Sequence, residues 1–213
     1  MTNVNDIKSH KIMTMDAEKR EHVISAAMSE FCKGFKNAST DDIVAEAGIS
    51  KGLLFHYFGT KKGLYEFLLH YAFDILRENY FDLISADRKD LLEHLEQMIR
   101  LKFDLSYKHP ALFEFITAAY TRANDYPGNE FAVRIAEIQA EIAPRISSDR
   151  NTSLFKDGID AEKAVNIIMW TLEGYSESKL SPDKKLKDYQ SEYEKYLIDL
   201  KEYFSIFRKL FFK

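Results

Sequence analysis

From Asp16 onward, apolar residues return at helical intervals. Val23, Ile24, Ala27, Met28 and Phe31 fall on one face, Asp16 and Glu18 stand at the start, where the helix dipole favours acids, and Gly34 closes the segment. The stretch "NASTDDIVAEAGIS" predicts a second, shorter helix. Its Ser39 and Asp42 have capping-box spacing, Ile43, Val44 and Ala47 give an inward face, and Gly48 can take the left-handed conformation that ends it. Ser50 can cap a third helix running from Lys51 to about Phe58. Gly59 closes that one, and Thr60 caps a fourth over about residues 61–84, with Leu64, Leu68, Tyr71 and Ile75 on one stripe. A turn of three or four residues containing Gly between the second and third helices is a helix-turn-helix layout.

Further helical periods cover residues 90–107, 111–122, 129–146, 160–178 and 187–212, with Pro110, Pro127 and Pro182 in the breaks. No β alternation or internal repeat interrupts them. The pattern predicts an all-α chain of about nine helices: a flexible arm over residues 1–15, where no period is sustained, a three-helix domain over 16–63, and a larger helical region over 64–213. On the last helix, Tyr189, Tyr193, Tyr196, Leu200, Tyr203, Phe207 and Leu210 recur at alternating intervals of four and three, and Leu197, Phe204 and Phe211 widen the stripe. Such a face is too apolar for water and suits helix-on-helix packing. Periodicity does not say whether the partner helix belongs to the same chain or to a second subunit.

With 46% apolar and 30% charged residues in 213, the chain is an ordinary folded one rather than a disordered one. Its apolar runs are too short for a membrane span or the core of a signal peptide, so a cytoplasmic protein with no membrane contact is expected. The one cysteine, Cys32, rules out an intrachain disulfide framework and reads as a packing residue. Net charge is −4, which argues against indiscriminate nucleic-acid binding, yet residues 1–65 carry nine Lys and Arg against eight Asp and Glu. Between Glu46 and Glu66, 19 residues pass without a carboxylate.

That gap holds "SKGLLFHYFGTKKG". On the third helix Leu54 and Phe58 share an inward face, whereas Lys51, Gly52, Leu53 and His56 point away, with Phe55 and Tyr57 at the edges. Lys61 and Lys62 occupy the first turn of the fourth helix, where a cation opposes the dipole at a cost of about 0.3–1 kcal/mol each. Two neighbouring helix starts without acids, each with free backbone N–H groups, would suit the two sugar-phosphate backbones beside a groove. Solvated lysines are the plainer reading of the same residues.

Joined to the preceding "VISAAMSEFCKGF", the run "STDDIVAEAGISKGLLFHYFGTKKGLYEFL" closely resembles the DNA-binding domain of the TetR (tetracycline repressor) family of bacterial transcriptional regulators, over about residues 16–68. The resemblance implies that Thr40, Tyr57 and Lys61 contact phosphates and that Ser50, Lys51, Gly52, Leu53, Phe55 and His56 lie in or beside the major groove of double-stranded DNA. Two positions depart from the family pattern. Phe55 replaces a common Tyr and loses a hydroxyl, and Lys62 replaces a common acid and adds a cation, so binding should depend more steeply on salt.

For residues 64–213 the resemblance is one of layout, implying a ligand-binding and dimerisation region whose last two helices pair with those of a second subunit. A homodimer on a palindromic operator follows, with Ile168, Leu172, Tyr193, Leu197, Leu200, Phe204, Phe207 and Phe211 expected at the interface. The fourth helix, with the reading head at one end, is the expected lever for an unidentified small-molecule effector, and most such regulators are repressors that their effector releases. Phe67, Tyr71, Phe103, Tyr107, Phe113, Phe115, Tyr120, Trp170 and Tyr175 are the aromatic candidates for its pocket. Glu66 and His70, four apart, permit a metal pair, but no third ligand is evident, and neither metal nor cofactor is assigned. No Gly-rich phosphate loop, H-E-x-x-H, G-x-S-x-G or paired-Cys motif points to an enzyme. The rival to a regulator is a helical dimer that uses its helix-turn-helix to bind protein.

Overall fold

The computed structural model describes residues 10–81, 83, 91–122, 126, 133, 134, 136, 137, 140, 154–179 and 186–213. Positions 1–9 of the expected arm, most of the helix expected over 129–146, Pro127 and Pro182 lie outside them. The fold is all-α. Helices α1 (Ala17–Phe31), α2 (Thr40–Ala47), α3 (Lys51–Phe58), α4 (Lys61–Leu76), α5 (Leu91–Lys108), α6 (Pro110–Thr121), α7 (Ala161–Lys179), α8 (Leu186–Ser191) and α9 (Tyr193–Phe211) follow one another. Among the described residues the β content is one isolated bridge, Phe155 with Phe212. None of these helices is long and apolar enough to cross a membrane.

Two differences from the periodic reading stand out. α4 changes at Arg77 into a π-helical turn, Arg77–Phe81. The single last helix is interrupted at Glu192, whose φ of −92° and ψ of 0° leave the helical region and separate α8 from α9.

The described residues fall into two compact units, the first within Met1–Asp82 and Lys108–Ala140, the second within Leu83–Tyr107 and Glu141–Lys213. In the first, Val23, Ala27 and Phe31 of α1, Ile43 of α2, Leu54 of α3 and Leu64, Phe67 and Leu68 of α4 are all buried. Burying a side chain of this size contributes about 1.5–3 kcal/mol. Helices α2, α3 and α4 each start on a side-chain cap: Ser39 Oγ accepts from Asp42 N at 3.3 Å, Ser50 Oγ from Leu53 N at 3.1 Å and Thr60 Oγ1 from Gly63 N at 2.9 Å. Cys32 donates its thiol to Met28 O at 3.3 Å, and burial pushes its pKa up to about 11.

The flexible arm expected over residues 1–15 is corrected for its final third. Lys11–Thr14 form a turn of 3-10 helix, and Ile12 is wholly buried. His10 caps it, its Nδ1 accepting from Ile12 N at 3.3 Å, while its ring lies 5.5 Å from Phe58 and 4.5 Å from Phe67. The imidazole thus ties this segment to α3 and α4.

The second unit has its own core of Leu91, Leu92 and Leu95 from α5, Ala164, Val165, Ile168 and Leu172 from α7, and Leu200, Phe204 and Phe207 from α9. Polar contacts tie the same helices: Tyr175 donates to Asp199 Oδ2 at 2.6 Å, and the Ser176 and Tyr196 hydroxyls lie 2.8 Å apart. This core corrects the interface expectation. Ile168, Leu172, Leu197, Leu200, Phe204 and Phe207 are buried by the chain's own packing, and Tyr193 and Phe211 are half-buried. Solvent instead sees Ile198 and Ile206, which fall between the members of the α9 stripe, its own member Leu210, and Ile167, Met169 and Trp170 on α7.

Two outcomes follow from these contacts. A Cβ at Gly63 would sit 2.3 Å from the Phe58 carbonyl oxygen, so Gly63→Ala must push α4 away from the end of α3 and should cost about 1–3 kcal/mol in urea unfolding. Burial and the neighbouring Lys11 lower the His10 pKa. As pH falls, the unfolded chain therefore takes up this proton first, and stability present above about pH 6.5 is lost below it. His10→Asn, which keeps a capping acceptor, should flatten that loss when unfolding is followed from pH 7.5 to 5.

Candidate nucleic-acid interface

The reading surface is built from three helix starts. Gly48, at φ +62°, ends α2, and its left-handed turn lets Ile49 N donate to Val44 O at 3.1 Å, which aims the chain into α3 two residues later. Leu54 and Phe58 anchor α3 from below. Lys51, Gly52 and His56 are exposed, while Leu53, Phe55 and Tyr57 are half-exposed at the borders. At Gly52 a Cβ would meet nothing closer than Ser50 Oγ at 4.0 Å, so the backbone there is open to a close approach. Tyr57 and His56 meet edge to face, their ring centres 5.3 Å apart. The capping hydroxyls of Ser50 and Thr60 are turned to their own helices. Thr40, first in α2, is half-buried.

The cations are less free than their sequence neighbours imply. Lys61 Nζ lies 5.0 Å over the Phe35 ring and 3.5 Å from Lys36 O. Lys62 Nζ is 3.4 Å from Glu66 Oε1, the same oxygen that accepts the Tyr126 hydroxyl at 2.8 Å. Lys51 Nζ is 2.8 Å from Asp41 Oδ1. The start of α3 therefore lacks acids along the chain but not in space, because the fold sets the first turn of α2 beside it. Asp41, the double use of Glu66, and Arg122, whose Nη1 donates to Lys33 O at 2.6 Å beyond the end of α1, were not singled out by spacing. The Lys62–Glu66 separation of four was the one pairing a helix register could have disclosed.

Aromatic residues proposed for an effector pocket do not form one set. Phe67 and Phe115 are fully buried core rings, the latter 5.6 Å from Tyr65, so they are corrected from cavity wall to packing. Tyr71 donates to both carboxylate oxygens of Glu21, at 3.0 and 3.1 Å, joining α4 to α1. Phe113 is half-buried on α6 and Tyr120 is exposed. In the second unit Phe103 stacks on Tyr193 at 4.1 Å, Tyr107 donates to Gln190 O at 2.7 Å, Tyr175 is bound to Asp199, and Trp170 is 67% exposed. A cleft of about 350 Å³ lies instead between α1 and α2, among polar residues that include His22, Glu30, Asp42 and Glu46. Glu66 and His70 are each otherwise engaged, His70 Nδ1 lying 3.1 Å from Arg134 Nη2. Among the described residues no three His, Cys, Asp or Glu side chains gather to hold a metal.

A helix-turn-helix whose second helix is exposed on its outer face, within an all-α chain, is the arrangement of a DNA-binding domain. Residues 23–68 match the model of the bacterial regulatory proteins of the tetR family. The nucleoid occlusion factor SlmA of Shewanella halifaxensis is 23% identical over 183 residues, covering 80% of this chain and 90% of that protein. The HTH-type transcriptional regulator RutR of Escherichia coli is 33% identical over 95 residues, 43% of each chain. The fold is shared with a TetR family transcriptional regulator from Chloroflexus aurantiacus, at a TM-score of 0.63 and 17% identity over 95% of this chain and 97% of that one. The ketosteroid transcriptional regulator KstR2 of Mycobacterium tuberculosis has it too, with a TM-score of 0.60 and 19% identity over 93% and 97%. Residues 23–68 thus carry a DNA-binding domain of the tetR family type, in a chain that has the fold of TetR family regulators.

Lys62 stands exposed in the first turn of α4, and its partner Glu66 Oε1 also accepts the Tyr126 hydroxyl, so the carboxylate keeps a partner when a nearby phosphate takes the ammonium. Lys62→Glu should make the dependence of log K on log salt shallower by about one for each half-site. Titration of a bound duplex between about 50 and 200 mM salt reads this, and unchanged slopes would remove Lys62 from the interface.

Proposed function

We propose that the chain is a homodimeric repressor that binds a palindromic operator and is released by a small-molecule effector. The observation that carries this reading is the exposed outer face of α3, Lys51, Gly52 and His56, held out by the buried pair Leu54 and Phe58 between two side-chain-capped helix starts. In this proposal Thr40, Tyr57 and Lys61 hold phosphates, Lys62 adds another such contact, and Ser50, Lys51, Gly52, Leu53, Phe55 and His56 meet the major groove. Residues 16–63 read DNA. Residues 64–213 receive the effector and pair the subunits, working in the cytoplasm and carrying out no catalysis.

Pairing is supported by the outer faces of α7 and α9, where Trp170, Ile167, Ile198 and Ile206 are exposed in the single chain. Gly174 lies one turn beyond Trp170 in the interior of α7, and a Cβ there would meet nothing within 4 Å. A helix-interior glycine costs about 0.5–1 kcal/mol, which a closely approaching helix from a second copy would offset. Two subunits would set their α3 helices to enter successive major grooves about 34–36 Å apart. An effector favouring another separation would release the operator.

Selection of genomic fragments by the purified protein tests the reading, together with sedimentation of wild type and of Trp170→Glu combined with Ile198→Glu. Palindromic sites clustered upstream of a few genes and a dimer that the double variant converts to a monomer are expected. Sites scattered over the chromosome would favour a role like that named for SlmA. A wild-type monomer, or failure to retain any duplex, would overturn the proposal and leave protein binding by the helix-turn-helix.

A further inference from the structure

We infer that Asp41 is a specificity-determining residue of the reading surface: it holds the Lys51 ammonium away from the phosphates and toward the base edges of the major groove. This rests on the proposal that α3 is the recognition helix. Lys51 is the first residue of α3, and its Nζ lies 2.8 Å from Asp41 Oδ1. The two side chains are 50% and 72% exposed, and so solvated a pair contributes little to folding. Nor does α2 need this acid at its start. Ser39 already caps it, and Asp42 places a second carboxylate in the same turn.

Against a duplex, the pair matters more. An untethered lysine on a DNA-facing helix goes to a phosphate, the strongest anion in reach, and carries no sequence information there. Tied to Asp41, the ammonium brings no net charge, so it releases no counterion and gains little from a phosphate. Only one of its three N–H groups is used by the carboxylate. The other two match the adjacent acceptors O6 and N7 that guanine presents in the major groove. The carboxylate at the same time repels any phosphate drawn toward the end of α3. Lys51 also neutralises an acid that would otherwise stand beside Thr40, which the proposed function assigns to a phosphate. The surface thus divides its lysines, with Lys61 and Lys62 at the tip of α4 for the backbone and Lys51 for a base.

The experiment selects bound duplexes from a random-sequence library with the full-length protein. It then measures Kd against salt for the winner and for its single-position variants, using wild type, Asp41→Asn and Lys51→Ala. Wild type should prefer guanine at one position in each half-site, and Lys51→Ala should erase that preference and, by uncovering the Asp41 carboxylate, weaken binding to every duplex. Asp41→Asn, which keeps size and polarity at the start of α2, should steepen the slope by about one per half-site. It should also cut discrimination at that same position by about fivefold or more while tightening binding to unrelated duplex. If Asp41→Asn leaves both slope and single-position preference at wild-type values, or weakens all duplexes equally, Asp41 has only a local role and the inference fails. If wild type enriches no duplex, the DNA-binding reading itself has failed, and this is seen before any variant is compared.

Discussion

An eight-residue helix has no claim to stability in water, since isolated helices shorter than about 12–15 residues are marginal. α3 exists because Leu54 and Phe58 are driven into the core of the first unit, against rings and methyl groups supplied by its neighbours. That burial fixes its rotation about its own axis. Once two residues four apart must face inward, Lys51, Gly52 and His56 must face outward, and the exposed face of α3 is set by what packs beneath it. The caps and the left-handed glycine at position 48 set the ends, but the rotation comes from burial.

The same constraint reaches the chain's beginning. The His10 ring lies against Phe58 and Phe67, and Ile12 beside it is wholly buried, so the segment before α1 is part of the support for α3. Behind it, Phe35 bridges Phe31, Tyr65 and Tyr126, while Arg122 meets the carbonyl of Lys33. The first unit therefore braces the tip of α4 from several directions at once. Lys61 at that tip is itself held, over the Phe35 ring and near the Lys36 carbonyl.

What could be read in the sequence was what depends on near neighbours. Ser39, Ser50 and Thr60 cap the residues three positions on, Gly48 ends α2, and the intervals of α3 separate Leu54 and Phe58 from Lys51 and His56. Contacts between distant positions could not be read this way. Nothing in the spacing places Asp41 beside Lys51, buries Ile12, or sends Tyr126 to Glu66 across 60 residues. The aromatic stripe of the last helix shows the difference most clearly. Its period correctly marks a face that must be covered, but the cover comes from α5 and α7 of the same unit. The exposed Ile198 and Ile206 fall between the stripe's members, where a heptad pattern does not look. For the effector, aromatic composition named rings without saying which of them would be consumed by packing, as Phe67 and Phe115 are.

One small feature of α1 has practical reach. Burial raises the pKa of the Cys32 thiol to about 11, which keeps it protonated at neutral pH, and only the thiolate is a nucleophile. A cysteine introduced on an open helix face would thus react with a fluorophore or spin label almost alone. The distance between two such labels becomes a quantity that can be followed in solution without first removing the native sulfur.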